Sequence, residues 1–439
     1  MITRVLIAAL LIAACFASPV RAETRLIVRV ANGLPGIQSA CRLVGCTVIR
    51  GLGDPLSQLF LVTLPDLKLT LSLLTSSPLS LLSRLTGILG IEIDSLVSVI
   101  DFDGRYYGAG TPSGLFDKTP VSLAGTTVWR GYANQPAAGI IRVSDAQQKF
   151  GTEGAGTVAI IDTGVDPNHP ALRSVLVAGY DFTRDQQGMA SETADVNQST
   201  TAVVDGRPMS VNNSTVAIVN QSTTAVVDDP KFAAFGHGTM VAGLVHLVAP
   251  RALLMPLKAF RSDGTGNLSD VIRAVYYAVN ANARVINMSF STSFYSPELN
   301  TAFNHAVQRR VICVSSAGNS GRRTMVYPAG LETVMGVAST DLRDQRSSFS
   351  NYGDRLVWVA APGENVISTY PFSTYAASSG TSFSTPFVSG TAALMVQMKP
   401  SVDHWTAANA IGVAKSVGGD LGNGRLDVYM AAEALRYRY

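Results

Sequence analysis

Two different patterns of apolar residues divide the chain. Between residues 24 and 100, short strand-like runs alternate with stretches compatible with helices. Arg25 to Val30 and Gln58 to Thr63 resemble half-buried strands, and Leu34 to Leu43 and Ser77 to Leu85 are predicted helices. Ile91 to Ile100 is a predicted strand that closes the region. This pattern predicts a small α+β module with the order βαββαβ.

In the rest of the chain, continuous apolar runs of strand length alternate with helical stretches such as Ser269 to Ala281. The predicted strands are Val158 to Ile161, Leu253 to Leu257, Val285 to Met288, Val311 to Ser315, Val334 to Ala338 and Val357 to Ala360. Strands buried on both faces have such unbroken apolar runs. The alternation therefore predicts an α/β domain with a mostly parallel sheet covered by helices on both faces.

The stretch from Asp101 to Ala137 separates the two patterns. Apolar periodicity fades there, and Gly, Pro, Ser and Thr accumulate, most clearly at residues 108–112. Such a composition is typical of turns and connecting segments. We therefore predict an N-terminal module over residues 23–100, a linker over residues 101–134 and a large domain over residues 135–439.

The first 22 residues have the pattern of a secretion signal. Arg4 gives a positive start, Val5 to Ala14 are continuously apolar, and Val20 to Ala22 offer small residues for cleavage. Two alternatives stay open. One is a membrane anchor, for which the apolar run is short of the ~20 residues that span a bilayer; the other is a lipoprotein signal with Cys15 lipidated. The expected product is secreted or periplasmic.

Composition and charge exclude other classes of protein. Apolar residues make up 47% and charged residues 15%, as in a compact folded chain. The 34 basic and 31 acidic residues are scattered without a run of Lys or Arg, so nucleic acid is not an expected partner. Charged residues also interrupt the Leu-rich region between residues 57 and 100, and no membrane is expected as a partner of the mature protein.

Three cysteines lie beyond the signal. Cys41 and Cys46 either form a local disulfide after export or stay as two free thiols. Cys313 lies in the apolar run from Val311 to Val314, and we interpret it as a small buried hydrophobic residue instead of a nucleophile. No metal site built on cysteine is expected.

One string of nine residues, NQSTTAVVD, occurs at residues 197–205 and again, unchanged, at residues 220–228. Two copies are fewer than the three or more units that a repeat fold needs. We therefore interpret them as part of a duplicated surface insertion at about residues 185–232. The pattern assigns no function to it.

Two segments carry residues suited to acid–base chemistry. VAIIDTGVD (158–166) is an apolar strand that ends at Asp162, where open α/β sheets place ligand crevices. GHGT (236–239) sets His237 between glycines at the start of an apolar helical run, which leaves the imidazole accessible as a general base. Taken singly, such an Asp is usually a turn residue and such a His is usually structural.

Two further segments carry a hydroxyl and an amide. GTSFSTP (380–386) places Ser382 at the start of a helical stretch, where it is either an N-cap or a nucleophile beside unpaired helix N–H groups. SSAGNSG (315–321) places Asn319 on a glycine-rich turn, where it either adopts a left-handed conformation or donates to an oxyanion. The pattern around Ser382 is not the nucleophile elbow of α/β-hydrolases, because Ser384 replaces the required glycine.

Together these four segments, in the order Asp, His, Ser, resemble the subtilisin-like serine proteases. The resemblance covers about residues 135–436. It continues through VAP (248–250), VINMS (285–289), FSNYG (349–353), APG (361–363) and GNGRLDV (422–428). It implies a three-layer α/β/α domain with a mostly parallel sheet, preceded by a small α+β ferredoxin-like propeptide.

The resemblance also implies the roles of the site residues. Asp162 orients and stabilises His237, His237 takes the proton of Ser382, and Ser382 attacks the peptide carbonyl to form an acyl-enzyme. Asn319 and the backbone N–H of Ser382 hold the oxyanion. No cofactor is required for this chemistry.

The same resemblance implies where a protein or peptide substrate binds. The substrate would add as a strand along the segments SDGTG (262–266) and SFS (289–291), which include Gly264, Ser289, Phe290 and Ser291. Many relatives have Gly at the last of these positions. Ser291 therefore adds bulk beside the primary specificity pocket, and the broad apolar preference of the family is not simply transferred.

By the same resemblance, residues 23–100 are a propeptide that assists folding and acts as an intramolecular inhibitor. Self-cleavage is then expected within residues 101–135, where an exposed linker is accessible. Structural calcium is common in the family, with Asp166, Asp181 or acidic residues of the insertion as candidate ligands. No ligand spacing in the sequence locates a metal site.

Two other functions are compatible with parts of this pattern. An inactive subtilisin fold kept as a binding or scaffold protein would not need Asp162, His237, Ser382 and Asn319 together. An esterase or lipase of another fold would need the missing elbow glycine. The sequence therefore favours a secreted serine endopeptidase made as a self-processing zymogen.

Overall fold

The computed structural model describes residues 23–64, 87–99, 112–195, 209–211, 214–218, 230–418 and 420–439. These residues form two compact units, with the division between Ser95 and Leu96. The predicted signal, the predicted helix Ser77 to Leu85 and both copies of NQSTTAVVD lie outside the described residues. Within the described residues, no helix combines the length and apolarity that crossing a bilayer requires.

The N-terminal unit is a four-stranded antiparallel sheet with the strand order β2-β3-β1-β4. Its elements are β1 (Thr24–Val30), α1 (Gly33–Val44), β2 (Thr47–Gly51), β3 (Leu59–Leu64) and β4 (Ile88–Ile93). This is the strand order of a ferredoxin-like fold. The predicted order βαββαβ includes this second strand, but the sequence did not locate β2, because its short run has no buried residue that would mark an apolar face. The predicted strand Ile91 to Ile100 was wrong in extent, since β4 ends at Ile93.

A disulfide joins Cys41 near the end of α1 to Cys46 just before β2. Of the two interpretations left open by the sequence, the structure therefore shows the disulfide. Cys41 also belongs to the apolar core of this unit, where it packs with Ile37 of the same helix and with residues of β1 and β3.

The second unit contains the remaining elements. Its strands are β5 (Leu96–Ser98), β6 (Pro120–Leu123), β7 (Thr126–Trp129), β8 (Thr157–Asp162), β9 (Gly179–Asp181), β10 (Gln186–Gly188), β11 (Met209–Val211), β12 (Ser214–Ile218), β13 (Leu253–Lys258), β14 (Thr265–Asn267), β15 (Val285–Met288), β16 (Ile312–Ser316), β17 (Met335–Thr340), β18 (Val359–Pro362), β19 (Val366–Tyr370) and β20 (Thr374–Ser378). Its α-helices are α2 (Arg130–Ala133), α3 (Pro136–Ile140), α4 (Val143–Phe150), α5 (His237–Val248), α6 (Leu268–Asn280), α7 (Pro297–Gln308), α8 (Thr381–Met398), α9 (His404–Ile411) and α10 (Val428–Tyr437). Short 3₁₀ turns cover Ser113–Phe116, Thr193–Asp195 and Pro230–Phe232.

The centre of this unit is an eight-stranded sheet with the order β10-β9-β13-β8-β15-β16-β17-β18, parallel except at the β10–β9 edge. Helices α5 and α8 contact each other and the sheet, and α6 and α7 form a second contacting pair on it. The predicted α/β architecture with a mainly parallel sheet is confirmed. Its strands were the easiest elements to predict because burial on both faces forces nearly every residue to be apolar.

The predicted linker was wrong in part. From Ser113 onward the chain is folded, with a 3₁₀ turn, the β6–β7 hairpin and α2. Val128 and Tyr132 are buried in the core of the second unit, and the hydroxyl of Tyr132 donates to the carbonyl of Gly243. The segment lacks periodicity because its elements are only four residues long.

Among the buried histidines of the second unit are His246 in α5 and His404 at the start of α9. Burial lowers the pKa of each to about 4; nearby His169 lowers that of His246 further, and Asp403 opposes the effect at His404. In the unfolded chain an imidazole titrates near 6.5. Each histidine therefore favours folding fully above that pH, and the contribution is lost as the pH falls toward 4.

We expect urea unfolding of an inactive variant to show a steep loss of stability between pH 6.5 and pH 4, of about 3 kcal/mol for each histidine. His246→Leu removes one titrating group, so its stability should fall less over this interval. His305→Leu replaces a more accessible histidine and serves as the control. An unchanged slope in His246→Leu would contradict this account.

Candidate active site

The predicted site residues lie at the ends of three strands and the starts of two helices. Asp162 is the last residue of β8, Ser289 follows β15, and Asn319 follows β16 by three positions. These three strands are parallel neighbours, so their carboxyl ends lie at one edge of the sheet. Helix α5 begins at His237, and Ser382 is the second residue of α8.

Asp162 and His237 form a buried pair. Nδ1 of His237 lies 2.7 Å from Oδ1 of Asp162, and the aspartate is fully buried. The backbone N–H of Thr163 also donates to this oxygen, at 2.8 Å. Because a carboxylate only accepts, Nδ1 carries the imidazole proton and Nε2 is left as the base. The described residues offer Nε2 no hydrogen-bond partner.

The pKa of His237 is raised above its ordinary value. Burial alone lowers it, but the charge of Asp162, the hydrogen bond to Asp162 and the charge of Glu192 together outweigh burial. A histidine in this state takes up a proton more readily than a free imidazole. It is therefore suited to accept the proton of an attacking hydroxyl.

The residue that follows Ser382 contacts this histidine. The ring of Phe383, the next residue, is 5.5 Å from the imidazole of His237 between centroids. In the structure the hydroxyl of Ser382 donates to the carbonyl of Ser289 at 3.2 Å, not to His237. Hydrogen bonds between catalytic groups are often unformed before substrate binds.

The first turn of α8 is held by an unusual set of bonds. Pro386 lies four residues after Ser382 and has no N–H, so it cannot bond the carbonyl of Ser382 within the helix. The hydroxyl of Ser289 bonds that carbonyl instead, at 2.9 Å. Asn287 donates to Ser289 and accepts from Ser389 of α8, which extends the link. These hydrogen bonds hold Ser382 and the first turns of α8 against Ser289 and strand β15.

Asn319 is oriented by the residue that precedes Ser382. Its Oδ1 accepts from both the backbone N–H and the hydroxyl of Thr381, each at 2.8 Å. Only an oxygen can accept from that N–H, so the amide orientation is fixed. The N–H of Ser382, at the second position of a helix, has no acceptor within the helix. An amide N–H and a backbone N–H are the two donors that an oxyanion hole needs.

The predicted substrate-binding residues lie along two edges that enclose β5. This strand pairs antiparallel with β14, and Val99 N–H donates to the carbonyl of Gly264 at 3.0 Å. On the other side, Ser98 bridges to Ser291, whose N–H donates to the carbonyl of Ser98 at 3.3 Å. Phe290 is buried and its ring packs on Phe260, so it contributes backbone to this edge.

Two of the candidate calcium ligands, Asp166 and Asp181, already accept hydrogen bonds on both carboxylate oxygens. Oδ1 of Asp181 accepts from Thr183, and Oδ2 accepts from the guanidinium of Arg184, which occupies the place of a cation. The two oxygens of Asp166 accept from the backbone N–H groups of Asn168 and Phe372. In the part of the chain that the structure describes, no group of three metal-ligating side chains occurs.

Sequence reasoning missed Glu192, which it placed in the surface insertion. Glu192 is 1% exposed and bonds residues on either side of the Asp162–His237 pair. Burial, together with repulsion from Asp162, raises its pKa to about 7 despite hydrogen bonds from Thr163 and Thr239 and the charge of Lys258. A single acidic residue in an aperiodic stretch gives no signal by which it could have been found.

The comparisons with known proteins agree with this geometry. A model of the Subtilase family matches residues 154–418. Thermitase from Thermoactinomyces vulgaris is 34% identical over 294 residues, which cover 64% of this chain and 90% of thermitase. Subtilisin BL from Lederbergia lenta is 42% identical over 175 residues, which cover 38% of this chain and 65% of that protein.

Among solved structures, fervidolysin from Fervidobacterium pennivorans has the same fold, with a TM-score of 0.68 at 20% sequence identity. The match covers 95% of this chain and 62% of the fervidolysin chain. This chain thus spans most of thermitase but less than two thirds of subtilisin BL and of fervidolysin. Because the family model matches more than half of its residues, this protein belongs to the Subtilase family.

Proposed function

We propose that this protein is a secreted serine endopeptidase that is made as a zymogen and processes itself. The observation that carries the proposal is the buried Asp162–His237 pair, 2.7 Å apart, with Phe383, the residue after Ser382, packed against the imidazole. An inactive scaffold would have no reason to keep this pair buried with Nε2 available. The disulfide between Cys41 and Cys46 supports export, because such bonds persist in oxidising compartments.

The proposed reaction cleaves a peptide bond in two steps. The Ser382 hydroxyl attacks the carbonyl carbon while its proton passes to Nε2 of His237, and Asp162 stabilises the imidazolium. His237 then gives this proton to the leaving amine as the C–N bond breaks, which leaves an acyl ester on Ser382. Water, activated by His237, hydrolyses the ester. Asn319 and the N–H of Ser382 stabilise the oxyanion in both steps.

The register of β5 supports self-processing. Ser98 bridges to Ser291, and in an antiparallel pair two residues forward on one strand correspond to two residues back on the other. The carbonyl of Ser289 accepts from the hydroxyl of Ser382 at 3.2 Å. The bond after Ile100 is thus the one proposed to meet the nucleophile.

We expect the exported protein to lose residues up to Ile100 and to begin at Asp101, one bond before the range that the sequence suggested. Intact-mass and N-terminal analysis, with a denatured protein as substrate, test this directly. Ile100→Pro should block cutting at this bond, because proline lacks the N–H and the backbone freedom of an extended substrate. Leu123→Pro, a change in the β6–β7 hairpin, controls for general misfolding. Cleavage at another bond in the wild type would contradict the register.

A further inference from the structure

Glu192 is a buried carboxylate outside the proposed triad. Its Oε1 accepts from the Thr163 hydroxyl and, at 3.0 Å, from Gly238 N–H. Its Oε2 accepts from the Thr239 hydroxyl and, at 3.2 Å, from Thr239 N–H. None of these four donors is a cation, although desolvating a carboxylate is costly. The hydrogen bonds from these donors favour the charged form of Glu192, in opposition to the burial that raises its pKa to about 7.

The first contribution of Glu192 is to the start of α5, where it accepts hydrogen bonds from backbone N–H groups. His237, Gly238 and Thr239 are the first three residues of this helix, and the residue before them, Gly236, has no side chain to cap it. A helix leaves its first N–H groups without acceptors and carries a partial positive charge at this end. Glu192 bonds the second and third N–H groups, as an N-cap side chain does. The cap comes from a segment 46 positions away in the chain.

The second contribution of Glu192 is to the turn that follows Asp162, where it accepts a hydrogen bond from Thr163. Thr163 donates its N–H to Asp162, accepts from Gly238 N–H at 3.0 Å, and donates its hydroxyl to Glu192. Gly164, at a φ of +100°, lets the Glu192 segment approach, since a Cβ there would lie 2.7 Å from the carbonyl of Ala190 and 2.9 Å from the N of Glu192. Glu192 therefore ties the aspartate turn to the first turn of the histidine helix.

We propose that Glu192 is a positioning residue for the reaction: it caps the helix that carries His237, fixes that helix against the Asp162 turn, and adds negative charge that favours the imidazolium. The inference rests on the proposed function of the same site. It assigns to Glu192 no contact with substrate. Its effect passes through the geometry and the charge state of His237.

The charged and titratable groups around this pair are few. His237 faces Asp162 of β8 and Glu192, and Glu192 faces Asp162, Lys258 of β13 and Tyr370 of β19. The ammonium of Lys258 is bonded to Asp195 and to the carbonyls of Thr163 and Phe260, so its charge is largely matched by Asp195. Tyr370 is held neutral by burial. Replacing Glu192 with Gln therefore removes a negative charge near His237 with little change in the shape of the side chain.

The test is Glu192→Gln, with Glu192→Asp as the variant that keeps the charge. On a soluble peptide substrate we expect Glu192→Gln to lower kcat about 10-fold with a smaller change in KM, and to move the acid limb of kcat/KM to lower pH by roughly half a unit or more. Glu192→Asp should restore the acid limb. Glu153→Gln removes an exposed carboxylate of the same kind and should change neither quantity.

A second measurement does not depend on activity. In a Ser382→Ala background, NMR titration of His237 should give a lower pKa with Glu192→Gln than without it. If Glu192→Gln lowers only the unfolding temperature, with the His237 titration and the pH profile unchanged, Glu192 is a structural residue and the inference is overturned. If the titration shifts while the wild type cuts no substrate, the inference stands and the proposed function fails.

Discussion

Replacing Ser382 with Ala is expected to abolish both self-processing and cleavage of other proteins. In subtilisin, loss of the nucleophile lowers turnover by roughly 10⁶, and a chain with the same arrangement should lose a similar factor. The exported Ser382→Ala protein should stay full length in intact-mass analysis while the wild type is shortened. The fold should be unaffected, because alanine suits the first turn of a helix and only the hydroxyl bond to Ser289 is lost.

Under the proposed function an uncut variant is also inhibited by its own N-terminal segment, so the loss of turnover must be measured after that segment is removed. Wild-type enzyme fixed on beads can cut the variant and then be taken away. Ser384→Ala is the matched control, because Ser384 lies in the same helix turn, is buried, and its hydroxyl has no partner among the described residues. Processing of Ser382→Ala by itself at the wild-type rate would refute the assignment of the nucleophile.

Replacing Asp162 with Ala is expected to lower kcat by roughly 10⁴-fold, with a small change in KM. The carboxylate holds the proton of His237 on Nδ1 and stabilises the imidazolium, and alanine does neither. Because the charge of Asp162 raises the pKa of His237, the acid limb of the residual activity should also move to lower pH. Both quantities are available from a pH series on a soluble peptide substrate.

Asp162→Asn is informative beside the alanine variant. Thr163 N–H donates to the same oxygen that bonds His237, so an asparagine would turn its carbonyl oxygen to that position and keep Nδ1 protonated. It should therefore lose the charge but keep the orientation, and retain more activity than Asp162→Ala. Asp145→Ala, at an exposed carboxylate in α4, is the control. Equal losses in both Asp162 variants would show that charge alone matters.

The sequence predicted the core of the fold because its strongest signals come from burial. The strand Val285 to Met288 was predicted with its exact bounds, since a strand covered on both faces allows little besides apolar residues. The β6–β7 hairpin and α2 were missed because elements of four residues are too short to show a period. The predicted strand Ile91 to Ile100 was also wrong in extent, since it merged two separate strands, β4 and β5, between which Asp94 and Ser95 lie.

The site residues likewise divide into those with a local sequence signal and one without. Asp162, His237, Asn319 and Ser382 stand in local motifs with glycine neighbours, so each could be named as a candidate before any geometry was known. Glu192 belongs to no motif. Its role arises from four hydrogen bonds to residues distant in the chain, and such contacts leave no trace in local sequence.

The placement of the cysteines has a consequence for the life of the molecule. The disulfide lies wholly in the N-terminal unit, and the second unit holds only Cys313, which is fully buried in β16 with the pKa of its thiol raised by burial. If the first unit is discarded by self-processing, every covalent bond that a reductant could break leaves with it. Folding of the precursor then depends on an oxidising environment, whereas the finished enzyme works equally well in oxidising and reducing surroundings.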